Sequence, residues 1–507
     1  MRRTSTPFMA LGLTAEQGPS TSGTVPFGEF AMRIAGWSLF AVAILSAPAL
    51  ADDWPQFRGP NGSGVSAETH SLPTEFSTDD GKNIAWSVKL GDGIGCPIVV
   101  ADRCITTAMS GDETFSVLAY DVATGKELWH TKLATGKLPR ITPPNSHASS
   151  TPCSDGKKVY AHFSTLGLIA LDIETGKVDW KFELPKPAYL MDWGAAMSPI
   201  VYQDTVYFCQ DDDLAPTLFA IDAATGTLRW KVERTDMLAG YAVPVLCTAA
   251  GRTDLVLAGS GKLKGYDPAT GKELWTCNTM PRTVMTSPVV RDDVIYISVQ
   301  SYGDETRTLK YALLEWLDTN QNGELTLAEV PKEFASRFNQ SDKNGDGVLR
   351  EAELDTAFQS PDNMVGGGTT IQAIRGGGSG DVTKTHVLWN VKNKSPSNLS
   401  SPIVAGEQLF VVKKGGISSS FGTKAGESHW ELKRLGKFGD YYASPIAGDG
   451  KIYVTSEPGS VIVLKAGPEL DVLARNELGD SIIATPAISA GRIFVRTKNS
   501  LVCAQEK

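Results

Sequence analysis

An eleven-residue phrase that keeps returning limits what this chain can fold into. Ala119-Tyr-Asp-Val-Ala-Thr-Gly-Lys-Glu-Leu-Trp129 recurs as Ala170–Trp180, Ala220–Trp230 and Gly265–Trp275, and as a worn copy, Ser420–Trp430, where Gly422 and Ala425 replace the usual Asp and Thr. Each copy holds a short β-like run, an Asp-x-x-Thr-Gly turn and a second short strand ending in Trp. The Asp side chain can bond the turn backbone, and Gly supplies the positive φ that the turn needs. Equivalent positions in every copy make Asp121, Asp172, Asp222 and Asp267 scaffold residues, and the tryptophans large surfaces for packing one unit on the next.

A second phrase marks the other half of the unit: a small residue, Pro, then an apolar strand. It occurs at Cys96-Pro97, Thr151-Pro152, Ser198-Pro199, Val243-Pro244, Ser287-Pro288, Ser401-Pro402, Ser444-Pro445 and Thr485-Pro486. Four short strands per unit of roughly 40–50 residues is the signature of a β-propeller. Eight such phrases predict an all-β, eight-bladed propeller of four-stranded blades over 52–507. The last unit, from Thr485 to Lys507, has room for three strands only. Asn83–Leu90, with its orphan Trp86, can supply the fourth and close the ring; a seven-bladed ring with a loose N-terminal strand is the alternative.

These phrases resemble those of the PQQ-type propeller superfamily, which includes quinoprotein alcohol dehydrogenases and the periplasmic propeller subunit of the outer-membrane barrel-assembly machinery. Asp53-Trp-Pro-Gln-Phe-Arg-Gly-Pro-Asn-Gly-Ser-Gly64 is similar to the opening of many exported propellers of that kind. The resemblance implies the fold and leaves the activity open. The dehydrogenase branch implies a vicinal cysteine disulfide beside its quinone, and some members a C-x-x-C-H haem site. The seven cysteines, Cys96, Cys104, Cys153, Cys209, Cys247, Cys277 and Cys503, form neither. Most sit in apolar runs and read as small core residues.

One interval breaks the period. Trp275 and Trp389 lie 114 residues apart, against 41–51 for other neighbouring repeat tryptophans. The excess falls between Gln300 and Thr369 and is expected to form an inserted α-helical module over 304–360. Leu309, Ala312, Leu313, Trp316 and Leu317 follow a helical i, i+3, i+4, i+7, i+8 spacing and are expected to face a core. The helix runs into Asp318–Glu329, a twelve-residue loop offering calcium Asp318, Asn320, Asn322, the Glu324 carbonyl, Thr326 and Glu329 at positions 1, 3, 5, 7, 9 and 12, with Gly323 at the bend. A second loop, Asp342–Glu353, offers Asp342, Asn344, Asp346, the Val348 carbonyl and Glu353, with Gly347 at the bend and Arg350 leaving position 9 to water. This EF-hand pair predicts two Ca2+ sites. Three side-chain carboxylates against two predict tighter binding at the second. Val330–Ser341 is expected to serve as one shared helix, with Phe334 and Phe338 on one face.

The N-terminus carries an address. Met32-Arg33, the apolar Ile34–Ser46 and Ala49-Leu50-Ala51 match a charged start, an apolar core and an A-x-A cleavage site. Residues 1–31 read as a start-site extension, 32–51 as a signal peptide cleaved after Ala51, and the mature chain as periplasmic or secreted with no membrane span. The net charge of −9, without a basic stripe, argues against nucleic acid. The expected function is a calcium-binding, non-catalytic platform for an envelope or secreted protein partner. One alternative is a quinoprotein-like oxidoreductase with PQQ in the channel, drawing on Asp192-Trp193, Asp211–Asp213 and Arg375. For Asp211–Asp213 a solvated loop is the competing reading. A second alternative is carbohydrate binding at aromatics such as Tyr441-Tyr442.

Overall fold

The computed structural model describes residues 53–507 except 238–239, 283, 302–309, 360–366, 393–398 and 437. The proposed extension, the signal peptide and its cleavage site lie outside the described residues, as do the exact ends of the 304–360 insert.

Eight antiparallel four-stranded sheets follow one another along the chain. Blade one is Ile98–Val100, Arg103–Ser110, Thr114–Asp121 and Glu127–Ala134, and the later units repeat this order. First strands of neighbouring blades touch around a common axis, including that of blade eight (Ala487–Ser489) against that of blade one. The predicted closure holds. Ile84–Lys89 pairs antiparallel with Ser500–Gln505, adding the fourth strand of the eighth blade. Eight blades are formed, not seven.

The Asp-x-x-Thr-Gly turn works as the repeat suggested. Asp121 Oδ1 accepts from Thr124 N at 2.8 Å and from Thr124 Oγ1 at 2.6 Å, and Gly125 adopts φ +71°. The tryptophans then lock blade to blade. Trp129 lies on Gly176 of blade two, so close that a Cβ there would sit 2.5 Å from the ring. Its Nε1 donates to Ile173 O at 2.9 Å. Trp86, Trp180, Trp230 and Trp389 make the same pair of contacts on the following blade.

Two tryptophans depart from the expected interblade role. Trp430 bonds Ser418 of its own blade. Trp275 turns inward, and its Nε1 donates to the buried Asp254 of its own blade at 2.7 Å. Blade five has no Asp-x-x-Thr-Gly turn to receive it. Instead Gly380–Asp381 adds a short parallel strand to the outer edge of blade four. A Cβ at residue 265 would lie 2.1 Å from Trp275, which explains why this copy alone begins with Gly265 rather than Ala or Ser.

The pre-proline residues form a girdle about the axis. Backbone N–H groups of Cys96, Thr151, Val243 and Ser287 donate to the side chains of Thr151, Ser198, Ser287 and Ser401 at 2.9–3.0 Å. Ser401 and Ser444 continue to Ser444 and Thr485 at 3.0 Å, and Thr485 N closes on Cys96 Sγ at 3.1 Å. The chain of bonds is interrupted between Ser198 and Val243, because valine has no hydroxyl to accept.

The opening Asp53–Gly64 segment crosses one end of this axis. Trp54 bridges to Val99 of blade one, and Pro55 O accepts from Ser154 of blade two. Asn61 exchanges two bonds with Leu246 of blade four, at 2.8 Å each, and Gly64 O accepts from Ala447 of blade seven. Arg58 is fully buried, with Nη2 donating to Pro402 O of blade six, and burial pulls its pKa down to about 9. Contacts to five blades make this segment a plug.

The insert leaves blade five between its second and third strands. Pairing stops at Ser301↔Gly368, with Gln300↔Thr369 just inside. Lys310–Leu317 is helical, with Ala312, Leu313 and Leu317 buried as expected. Trp316 is a correction, since it is 38% exposed rather than core. Leu309 lies outside the described residues. The shared helix is also shorter than expected. Val330-Pro331 is extended, a 3-10 turn covers Lys332–Phe334, and the α-helix is Ala335–Ser341. Proline before the turn explains the break, since it disfavours α geometry at Val330. Phe334 and Phe338 are both buried.

Candidate functional site

A cavity of about 540 Å³ occupies the axis on the side where each first strand begins. All eight blades reach it through girdle residues that the sequence marked only as strand starts: Cys96, Thr151, Ser198, Val243, Ser287, Ser401, Ser444 and Thr485 lie on its wall. Phe57 of the plug also lines it, so it is a cup rather than an open tube. The girdle hydroxyls accept backbone bonds, and burial pushes the Cys96 thiol up, which keeps it a thiol.

The mouth is aromatic. Tyr189, Tyr241, Trp193 and Trp316 form a chain of ring contacts with centroid separations of 5.9, 6.4 and 6.1 Å. Trp193 and Trp316 meet edge to face, at 82°. Trp316 comes from the insert, so the module of blade five contributes to the cup. Opposite them lie Tyr441, Tyr442, Lys414 and Asp440. Tyr442 donates to Asp440 Oδ2 at 2.8 Å, and burial with this bond pushes its phenol up to about 12. An adjoining chamber of about 320 Å³ includes Arg496 and Lys498. Arg496 is spent on backbone, donating to Gly95 O at 3.1 Å and Gly91 O at 3.3 Å.

The predicted cofactor residues divide. Trp193 lines the cup, while Asp192 is not part of the lining and lies 3.7 Å from Arg140. Arg375 does not approach the axis: it is exposed at the far end of Gly368–Arg375, paired with Val294. Asp211–Asp213 is neither a solvated loop nor a cavity wall. Asp211 forms a bidentate pair with Arg234 at 2.7 and 2.8 Å, both side chains buried. Asp212 accepts from the N–H groups of Ala188, Leu214 and Ala215. Asp213 accepts from Leu190 N at 2.8 Å, and burial raises its pKa to about 6. These carboxylates pin the loop that carries Trp193. Of the cup's residues, sequence reasoning missed Phe57, Tyr241, Lys414 and Asp440. The recurring pre-proline position was the signal that could have located the wall.

Asp213 yields a pH prediction. A carboxyl whose folded pKa lies above its unfolded value holds an extra proton in the folded state between the two. Its contribution therefore favours folding at low pH, weakens as pH rises from about 4 toward 6, and is flat above. Asp213→Asn should flatten that part of the stability profile and raise the urea midpoint at pH 7 relative to wild type. An unchanged slope between pH 4 and 6 would contradict this.

The insert loops hold the predicted calcium positions in loop form. Gly323 and Gly347 both adopt φ +81° at the bends, and Leu325 pairs with Leu349 between the loops. Asp318 accepts from Asn322 N and Gly323 N, and Asp342 from Gly345 N and Gly347 N. Asn320 and Asn322 accept from Asn322 N and Glu324 N; Asn344 and Asp346 accept from Asp346 N and Val348 N. Glu329 folds back to Thr319, Asn320 and Thr326, and Glu353 to Lys343 and Asn344. Arg350, at position 9 of the second loop, turns its side chain to neighbouring carboxylates. It pairs with Asp346 at 2.7 Å and with Glu324 of the first loop at 3.0 Å. Among the described residues, no three His, Cys, Asp or Glu side chains converge as a ready-made metal cluster.

Comparison with known proteins now decides the family. A family model described as outer membrane protein assembly factor BamB matches residues 61–210 and 191–340, together more than half the chain. This chain belongs to that PQQ-like propeller family. Its fold is similar to that of BamB from Moraxella catarrhalis, with a TM-score of 0.51 at 16% identity, covering 84% of this chain and 97% of the other. Curated relatives match in part. A polyvinylalcohol dehydrogenase of Sphingopyxis sp. is 28% identical over 25% of this chain and 25% of its own length. A quinoprotein ethanol dehydrogenase of Pseudomonas aeruginosa is 29% identical over 38% of this chain and 34% of its own. The chain thus spans about a quarter to a third of the relatives it matches.

Proposed function

We propose that this chain is an exported, non-catalytic interaction platform that binds two calcium ions in its insert. The observation that carries the calcium reading is the inward set of the ligand side chains. Positions 1, 3, 5 and 12 of both loops already curl onto their own loop N–H groups, with the position-6 glycines at the bend. Calcium takes six to eight such oxygens in a loop of this length. In the first loop Asp318, Asn320, Asn322, Glu324 O, Thr326 and Glu329 would hold the ion. In the second, Asp342, Asn344, Asp346, Val348 O and Glu353 would do so. The platform reading draws on the family match and on the structural employment of Asp211, Asp212 and Arg234. An envelope or secreted protein is the partner class. Among the described residues no helix is long and apolar enough to cross a membrane.

The quinone alternative fits the cup poorly. PQQ carries three carboxylates. The described lining of the axial cavity offers one cation, Lys414, which lies 3.3 Å from Asp440. Adding PQQ to the protein should therefore give no absorbance shift and no dye reduction.

Calorimetry tests the calcium reading. Wild type should bind two ions, and Asp318→Ala and Asp342→Ala should each lose one. Three carboxylates against two should make the Asp342→Ala loss the larger in affinity. Heat unchanged by both substitutions would end the reading. Capture from envelope extracts with and without EGTA tests the platform, and a set of partners indifferent to chelation would count against calcium's part in it.

A further inference from the structure

The insert does more than hang from blade five. Its Leu313, Leu317, Phe334 and Phe338 form one apolar cluster with Leu190 and Met191, which belong to the loop between blades two and three. Arg337 Nη2 reaches Leu214 O, at 3.5 Å. The module thereby docks on that loop and places Trp316 against Trp193 on the wall of the cup.

We propose that this cup binds a short uncharged oligosaccharide, and that calcium in the insert strengthens that binding by fixing the Trp316 side of the mouth. The second clause rests on the calcium reading above; the first does not. Three observations point to this ligand chemistry. Aromatic faces at the mouth (Trp193, Trp316, Tyr442) suit the C–H faces of sugar rings. The one cation of the cup's described lining is neutralised by Asp440, so nothing there favours an anion. Asp440 pairs with Lys414 through Oδ1 at 3.3 Å and accepts from Tyr442 through Oδ2 at 2.8 Å, so the polar part of the wall is paired within itself. A polar wall without unpaired charge suits neutral hydroxyls better than an ion. The volume, about 540 Å³, lies in the range of small-molecule sites.

The probes are cellohexaose, xylohexaose, mannohexaose, laminarihexaose and maltohexaose, each titrated in calcium and in EGTA. Binding is read by calorimetry and by tryptophan fluorescence. At least one hexasaccharide should bind and quench fluorescence. Trp193→Ala should weaken it about tenfold or more, and Asp440→Asn about fivefold. Should Trp193→Ala fail to fold, Tyr442→Phe and Asp440→Asn carry the test. EGTA, or Asp342→Ala in calcium, should weaken binding about fivefold. If none of the five gives heat or quenching in protein that binds calcium, the sugar site is refuted and the calcium reading stands. If a sugar binds equally with and without calcium, the link is refuted. If calcium itself gives no heat, the calcium reading falls, and with it the link.

Discussion

Replacing Asp211 by alanine should destabilise the propeller by about 3–5 kcal/mol, the cost of stranding one member of a buried ion pair. Arg234 is 1% exposed and Asp211 2%. Burial works against the guanidinium charge, and the adjacent carboxylate outweighs it, holding Arg234 charged. Arg234 Nη1 also donates to Tyr266 Oη of blade four at 2.7 Å, so the pair ties two blades. With the carboxylate gone, the arginine keeps that single phenol partner. The urea midpoint should fall accordingly. Replacing both Asp211 and Arg234 with apolar residues of similar volume should recover much of the loss, because no lone charge then remains inside. Equal losses for the single and double variants would show that packing, not charge pairing, sets the cost.

Trp86→Ala should have a comparable effect, about 3–5 kcal/mol for a large buried aromatic. Trp86 lies on Gly125 of blade one, donates to Val122 O at 2.9 Å and stands 5.9 Å from Phe494 of its own blade. It is the only repeat tryptophan supplied from the N-terminal strand, so its loss weakens the seam itself. Limited proteolysis should then cut early between the plug and Ile84–Lys89. Trp275→Ala removes a similar area but leaves the seam intact, and early cleavage there should not follow. Identical cleavage patterns for the two variants would refute a special role for the seam.

The propeller was legible because its information is local and repeated. One Asp-x-x-Thr-Gly turn says little, whereas several in register with pre-proline strands fix blade count and closure. Trp275 escaped because its orientation depends on what blade five lacks, and only Gly265 hinted at it. The insert's loops were legible for the same reason of fixed spacing, but its resting place was not. Trp316 fits a core stripe in sequence, yet it meets Trp193 across 123 residues, a contact no local pattern encodes. Asp211–Asp213 misled in the opposite direction. Three adjacent acids usually seek water, and here Arg234 and a fan of backbone N–H groups replace it.

The pairing of Ile84–Lys89 with Ser500–Gln505 has a consequence for how the molecule is made. The first strand of the disc is synthesised early and waits for a partner more than four hundred residues further along the chain. Until then the plug and Trp86 have few of their final neighbours, and the ring cannot shut. Contacts this distant in sequence slow folding. A chain cut short by its last two dozen residues would therefore lack its clasp as well as a strand. Such a fragment would present an unpaired strand edge open to pairing with other chains, so the clasp also guards the ring against association.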